Sequence, residues 1–471
     1  MKKILQKTVF ILGSLLIIQC NFLGGVFSSS DSNAQDLELF YPLLDTSLQE
    51  ATSLRVIASK SVEEGEAQVL TTVRSRTHPN WNDSLEQLWN LFMLESFSIY
   101  QEELQAADKQ AATDILYESI GDRYTGYIPN SSAQEYLDRV FTTSTPGAIG
   151  VRLDLVPTGD TVKIIQVAPN SPASIAGIEK RDLIVTVNGA SVVGDSALSD
   201  FREATKGDSG TALTLGVHNE SGIRTVSLVK DQVDFPSVLI DTVDGNGVIR
   251  VFSFTPNTYD NKSTADEFIE ALQETSNREV TILDFRGNPG GVVSAAIEMS
   301  DALLSSGTII QTKGRALYSD TVPRNFLETY TATSSTKGGQ GRKYILLANK
   351  SSASASEMFI SAIMEGLDVP MVGDTTFGKG VGQVILTSPD GGVARITFSE
   401  TLSRNGVSYN GAGIAPTHYA PDSAAFDRAL ELSRELRSLP LSKKGSSSRV
   451  FNGNAVFSEG EVWEPLEIWE P

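Results

Sequence analysis

Cysteine is nearly missing from this chain, with one residue, Cys20, in 471. That excludes an internal disulfide framework and a cysteine-rich metal site. Histidine is scarce as well: His78, His218 and His418 are all there are. Basic charge is in deficit, 38 Lys and Arg against 58 Asp and Glu, for a formal net charge of −20. A nucleic-acid partner would need a basic face, so that class is excluded and the charge reads as a solvated acidic surface. What is present is an apolar content of 40% with ordinary glycine and proline, which marks a globular chain. Its length calls for two or three domains.

The apolar run near the N-terminus is too short for a spanning helix. Lys2, Lys3 and Lys7 precede the short run Val9 to Ile18, so residues 1–20 read as an export signal. Cys20 closes that run, and Ile17-Ile18-Gln19-Cys20 resembles a bacterial lipobox, although Gln19 is larger than the usual small residue. Lipidation at Cys20 is one reading; cleavage after Ser32-Asn33-Ala34 is the other. Residues 21–35 form a Ser/Asn/Asp linker. Residues 36–140 read as helical, with Leu85, Leu88, Trp89, Phe92 and Met93 at helical spacing behind Asp83 or Ser84. A second helix is expected from Ala111 to Ile120, and turn residues from Tyr124 to Pro129 close the region.

Residues 145–232 have β grammar. Gly147-Ala148-Ile149-Gly150-Val151-Arg152-Leu153 leads into a strand, and further strands are expected at Thr161–Val167, Asp182–Val187, Thr211–Val217 and Thr225–Val229, with Asn188-Gly189 as a hairpin turn. Short helices follow Asn170-Ser171-Pro172-Ala173 and span Ala197 to Thr205. Gly207-Asp208-Ser209-Gly210 copies the nucleophile loop of chymotrypsin-like proteases, but neither His78 nor His218 has the surroundings of a triad base. It reads as a turn before the next strand. Residues 236–430 then alternate strands and helices, as an α/β domain does. Val280 to Phe285 and Tyr344 to Asn349 are continuous apolar runs, which fits buried strands. Residues 440–471 read as a flexible acidic tail in which Trp-Glu-Pro occurs twice.

Three strand ends of the α/β region carry chemistry. Arg286-Gly287-Asn288-Pro289-Gly290-Gly291 is a glycine turn able to aim backbone N–H groups inward. Ser352-Ala353-Ser354-Ala355-Ser356-Glu357 opens an apolar helix, whose N-terminus favours developing negative charge. Thr376-Phe377-Gly378-Lys379-Gly380 sets a lysine between glycines, with Gln383 close behind. A lysine ordinarily has a pKa of about 10.4 and is useless as a base at neutral pH until burial lowers it. By the residues alone, three serines compete for the role of nucleophile.

These motifs resemble the C-terminal processing peptidases, or tail-specific proteases, of serine–lysine type. Ser171-Pro172-Ala173, Ala176-Gly177, Asp182-Leu183-Ile184 and Val187-Asn188-Gly189 resemble the PDZ domain of exported proteases. The family pattern has Pro-Gly where Lys180-Arg181 stands, and an aspartate where Thr417-His418 stands. The resemblance implies a multidomain α+β chain: a helical N-terminal region, a PDZ-like β domain, and an α/β core of the ClpP/crotonase type. It implies Ser354 as nucleophile, Lys379 as general base and Gln383 as the residue positioning the lysine. It places the oxyanion donors at Gly291 and Ala355 and the peptide carboxylate at Ala148, Ile149, Gly150 and Val151. It implies no metal and no cofactor, and polypeptide partners held by their C-termini. Membrane contact would come through a lipid anchor alone, and self-association is left open.

Overall fold

The computed structural model describes residues 113–118, 120–156, 158–317, 323–333, 337–388 and 391–438, with Asn90, Leu94, Ser98 and 464–465 besides. The export segment, Cys20, the linker, the stripe residues Leu85, Leu88, Trp89, Phe92 and Met93, and the tail tryptophans lie outside the described residues. Two compact units are present: Met1–Gln134 with Gly314–Phe326 and Gly382–Ser399, and the remainder of the chain.

In the first unit, helix α1 (Thr113–Glu118) buries Leu116 and Tyr117, and the Tyr117 hydroxyl donates to Asn90 Oδ1 at 2.7 Å. The residues from Tyr124 to Pro129 are not all turn, as their composition suggests. Gly126–Ile128 is strand β1, paired antiparallel with Arg395, Ala394 and Val393. Tertiary pairing overrides the local turn signal here. Helix α2 (Asn130–Phe141) follows.

The β domain runs through β2 (Ser144–Ala148), β3 (Val151–Leu155), β4 (Val162–Val167), α3 (Pro172–Ile175), β5 (Leu183–Val187), β6 (Ala190–Ser191), α4 (Ala197–Ala204), β7 (Ala212–Asn219), β8 (Gly222–Val229) and β9 (Asp231–Asp234). Its main sheet has the order β3-β4-β5-β7-β8, with β6 on β5, while β2 and β9 pair separately. Burial alternates along β4, placing Val162 and Ile164 against Ile184, Leu215, Val217 and Phe201. Asn188 and Gly189 take positive φ, 50° and 81°, as a tight hairpin turn demands. Where Lys180-Arg181 replaces Pro-Gly, the turn keeps a left-handed residue: Arg181 has φ 82°. Glycine would adopt that conformation freely, whereas arginine is strained in it by roughly 1–2 kcal/mol.

The α/β core comprises β10 (Val238–Val243), β11 (Asn246–Val251), α5 (Thr264–Glu274), β12 (Val280–Asp284), α6 (Val293–Leu303), β13 (Thr308–Leu317), β14 (Pro323–Thr331), β15 (Lys343–Ala348), α7 (Ala355–Leu367), β16 (Met371–Gly373), β17 (Val381–Thr387), β18 (Val393–Leu402), β19 (His418–Tyr419) and α8 (Asp422–Arg437). Its sheet has the order β10-β11-β12-β15-β16-β19. The β10–β11 pair is an antiparallel hairpin, and every later pair is parallel. Alternate residues of β12 face opposite layers, Leu283 toward α5, α6 and α7 and Ile282 toward α8. Phe285, just past the strand, packs at a tilt against Phe359 with ring centroids 4.8 Å apart, and Phe268 meets Phe359 edge-on at 5.7 Å. Both faces are therefore covered, and the ends of β11, β12 and β15 are held rigidly side by side. The strands β13 and β14 and the helix α8 were not expected from the sequence, since their polar alternation and short apolar stripe carry weak local signals.

Candidate active site

The ends of β11, β12 and β15 deliver three loops to one place. After β11 the chain runs through Ser253 to Phe254, which forms a parallel bridge with Gly291 of the glycine turn after β12. Phe254 N–H donates to the Gly290 carbonyl at 3.0 Å, and Val292 N–H donates to the Phe254 carbonyl at 2.9 Å. In a parallel bridge those bonds belong to Gly291's two neighbours, so the N–H of Gly291 itself is turned away from Phe254. A side chain at Gly291 is excluded twice over: φ is 146°, and a Cβ would fall 1.8 Å from the Phe254 carbonyl oxygen.

The serine ladder sits against the same turn. Asn288, wholly buried, donates from Nδ2 to the Val251 carbonyl and accepts at Oδ1 from Gly290 N–H. Its carbonyl accepts from Ala353 N–H at 3.0 Å and from Ser356 Oγ at 3.0 Å. Ser352 Oγ donates to the Phe285 carbonyl at 2.8 Å and accepts from Asn349 N–H. The two outer serines thus spend buried hydroxyls on fastening the loop. Ser354 differs: it is half-buried, at the N-cap of α7, with φ 57° and ψ −118°. A non-glycine residue held in that region signals strain that the surrounding structure imposes, and such strain clusters at reactive centres. Ala355 begins the helix, so its N–H is one of those without an intrahelical acceptor. A Cβ built on Gly290 would lie 2.8 Å from Ser354 Cβ and 2.9 Å from Ala355 N, so glycine is what lets the turn close on the serine. The N–H groups of Gly291 and Ala355 meet no acceptor among the described residues.

The lysine turn joins this assembly through a residue that sequence reading missed. Glu357, wholly buried at the third position of α7, accepts four hydrogen bonds. Its Oε2 takes Ser354 N–H at 2.9 Å and Lys379 N–H at 2.8 Å; its Oε1 takes Thr376 Oγ1 and Gly378 N–H, both at 2.6 Å. One carboxylate therefore fixes the backbones of Ser354 and Lys379 relative to each other. An acid three residues into a helix looks like an ordinary capping residue, which is why its spacing gave no warning. The turn is braced from behind by Gly411 N–H to the Gly378 carbonyl at 2.8 Å and by Gly380 N–H to Asn410 Oδ1 at 3.2 Å. Buried Tyr409 lies in the same loop, and burial, with the negative charge of Glu357 nearby, pushes its phenol well above the usual range. Lys379 is half-buried. Gln383 lies on β17 in the first unit, where Nε2 donates to Thr397 Oγ1 at 3.2 Å.

In the β domain, Ala148 ends β2, Ile149 and Gly150 make the bend, and Val151 opens β3, the edge strand of the sheet. The Ile149 and Gly150 carbonyls accept from Ala173 and Ala168 N–H, both at 2.8 Å, which anchors the bend on the loop before α3. Gly150 has φ 88°, and a Cβ there would fall 2.1 Å from Ser171 Cβ. Ser209 lies in the turn before β7, and its Oγ accepts from Gly147 N–H at 3.0 Å. Where the domain meets the core, Arg152 of β3 stacks on Phe252 at 4.1 Å and on Phe235 at 5.1 Å. Burial lowers its guanidinium to about 10. These residues, with Thr145, Val151 and Ser253, line a cavity of about 330 Å³ one residue from Phe254.

Residues 245–420 match the model of peptidase family S41, and residues 163–218 match a PDZ domain. The class to which fold and site point is peptidase family S41, over the matched residues 245–420. More particularly, its homologues are C-terminal processing proteases. It is 29% identical over 306 residues to the carboxy-terminal processing protease CtpA of Bacillus subtilis, covering 64% of this chain and 61% of that one. It is 27% identical over 342 residues to the carboxy-terminal-processing protease of Bartonella bacilliformis, covering 70% and 75%. A solved S41 protease structure from Bacteroides fragilis has a TM-score of 0.52 at 16% identity over 74% of this chain and 97% of that one, a likeness of fold. The chain spans about three-fifths, 61%, of the length of the first curated relatives it matches.

Proposed function

We propose that this protein is an exported serine endopeptidase of the bacterial cell envelope that cleaves polypeptides near their C-termini. The observation that carries the reading is the Glu357 carboxylate, which ties the strained Ser354 and the glycine-flanked Lys379 into one assembly beside two unspent backbone donors. In this reading the neutral Lys379 amine takes the Ser354 proton as Oγ attacks a peptide carbonyl. The oxyanion is received by Gly291 and Ala355 N–H, and Lys379 protonates the leaving amine; water then releases the acyl group. Gln383 positions the lysine. The substrate tail adds a strand to β3, with its carboxylate at Ala148, Ile149, Gly150 and Val151. Because β3 also carries Arg152, packed on Phe252 ahead of Phe254, occupancy of the PDZ domain gates the oxyanion strand. Export follows from residues 1–20, and Cys20 is the candidate site of a lipid anchor.

The test is cleavage of an unstructured polypeptide by the wild type and by Ser354→Ala and Lys379→Ala. Each variant is expected to lose at least about 10⁴-fold in kcat/KM, as members of a nucleophile–base unit do. Equal cleavage by all three would reject the dyad. No cleavage of any substrate by the wild type would favour a catalytically silent PDZ scaffold. Mass spectrometry of the mature protein decides between a lipidated Cys20 and cleavage after Ala34.

A further inference from the structure

Thr376 is a side chain on which the lysine turn, the serine helix and a third loop converge. It is buried, and its hydroxyl donates to Glu357 Oε1 at 2.6 Å while accepting from Ile414 N–H at 2.7 Å. Its own N–H donates to the Ile414 carbonyl at 3.1 Å, so the two residues are bonded twice. The loop carrying Ile414 lies backbone against backbone on the lysine turn. Gly411 N–H donates to the Gly378 carbonyl at 2.8 Å, and a Cβ built on Gly413 would fall 2.3 Å from the Thr376 carbonyl oxygen. All of these residues belong to the second unit, as do Ser354, Glu357 and Lys379.

The directions of the protons follow from the groups. A backbone N–H can only donate, so Ile414 occupies a lone pair of the Thr376 oxygen, and the hydroxyl proton is free to go to Glu357. Each oxygen of the carboxylate then accepts two bonds: Thr376 Oγ1 and Gly378 N–H on Oε1, Ser354 and Lys379 N–H on Oε2. A planar group held at both ends cannot swing about its last side-chain bond. Of the two donors on Oε1, Gly378 N–H moves with the lysine turn, whereas the Thr376 hydroxyl is also anchored on Ile414.

We propose that Thr376 is a positioning residue of the peptidase. Its hydroxyl carries the support of residues 409–414 to the Glu357 carboxylate, and through that carboxylate sets the backbone of Ser354 against that of Lys379. The inference rests on the serine–lysine reading, in which those two residues act together. Thr376→Val keeps the branched shape, leaves the buried Ile414 N–H without its acceptor and leaves Oε1 with Gly378 N–H alone. Thr376→Ser keeps both hydrogen bonds and loses only a methyl group.

The experiment measures kcat and KM for wild type, Thr376→Val and Thr376→Ser on an unstructured polypeptide, in the native and Glu357→Ala backgrounds. Each kcat is scaled to the folded fraction read by near-ultraviolet circular dichroism. Thr376→Val is expected to lower kcat roughly 10–100-fold with KM within about twofold, because displaced catalytic groups cost turnover more than binding. Thr376→Ser should stay within about threefold of wild type. In the Glu357→Ala background Thr376→Val should change kcat less than about twofold, since no carboxylate is left to hold. Full kcat in Thr376→Val, an equal loss in both backgrounds, or a loss that vanishes on scaling to folded protein overturns the proposal and leaves the dyad standing. A wild type that cleaves no polypeptide, or a Lys379→Ala variant that cleaves as the wild type does, overturns the serine–lysine reading and this inference with it.

Discussion

The two sheets of the second unit solve different problems with the same backbone. In the core, every residue of β12 is buried and β15 exposes only part of Lys343. In the PDZ domain, β4 alternates buried and half-buried residues, and the sheet ends in the open edge strand β3. A sheet covered on both faces gives strand ends that cannot shift against one another, which is what the proposed nucleophile Ser354, held at φ 57°, requires. A half-covered sheet with a free edge keeps main-chain groups available for one more strand. Chemistry is placed where the backbone is fixed, and recognition where it can still be extended.

The sharpest way to break that contrast is to release the fixed side. Glu357→Ala leaves Ser354, Gly378 and Lys379 N–H and the Thr376 hydroxyl without their common acceptor. We expect kcat/KM to fall about 10³-fold, since small misplacement of catalytic groups costs orders of magnitude. Glu357→Gln, which keeps one acceptor oxygen, should lose less. Full activity in steady-state kinetics of either variant would show that the tie is dispensable.

Next in size comes stability. Phe285→Ala removes a wholly buried ring lying against Phe254 and Phe359 and should cost about 3–5 kcal/mol in urea denaturation. In the PDZ sheet, Ile164→Val should cost only about 0.5–1.5 kcal/mol. Excising residues 145–233 then tests recognition directly. Ser144 pairs with Asp234, so the cut ends already lie side by side. Cleavage of tail-bearing polypeptides should drop roughly 10–100-fold while short peptides lose less, because remote binding energy is what is removed. Undiminished tail-selective cleavage would reject PDZ capture and gating alike.

How much of this was legible beforehand follows from the same contrast. Val280 to Phe285 and Tyr344 to Asn349 are continuous apolar runs because both faces of their sheet are covered, so the core strands could be read directly. The Asn188-Gly189 turn could be read because positive φ at both residues has a local chemical signature. Ser354 could be chosen among three serines only by resemblance. Its distinguishing features, the strained backbone and the neighbours' spent hydroxyls, exist only after folding. Glu357 was missed because it acts through hydrogen bonds to a segment distant in sequence, and such bonds impose no period or spacing on the chain. The strand Gly126–Ile128 was missed likewise, its partner lying at 393–395.

The smallest expected effect concerns the crossing from the PDZ domain into the core. Glu267 of α5 accepts at Oε2 from Ser237 N–H at 2.7 Å, Ser237 Oγ at 2.8 Å and Val238 N–H at 3.0 Å, and at Oε1 from Thr258 Oγ1 at 2.6 Å. Burial pushes its carboxyl above the usual range, outweighing those hydrogen bonds, which pull it down. The folded protein therefore holds this proton at a pH where the unfolded chain, with a carboxyl near about 4.3, has released it. Its contribution to stability is full below that unfolded value and declines as pH rises through the raised folded one. Glu267→Gln keeps one acceptor oxygen and cannot ionise, so it should lack this decline. Urea midpoints of wild type and variant at about pH 4, 6 and 8 read the difference. The wild type should lose ground to Glu267→Gln as pH rises. A gap independent of pH, or one that closes in the opposite direction, would mean that the carboxyl is ionised at the crossing, and the Ser237–Val238 backbone would then be held by a charge.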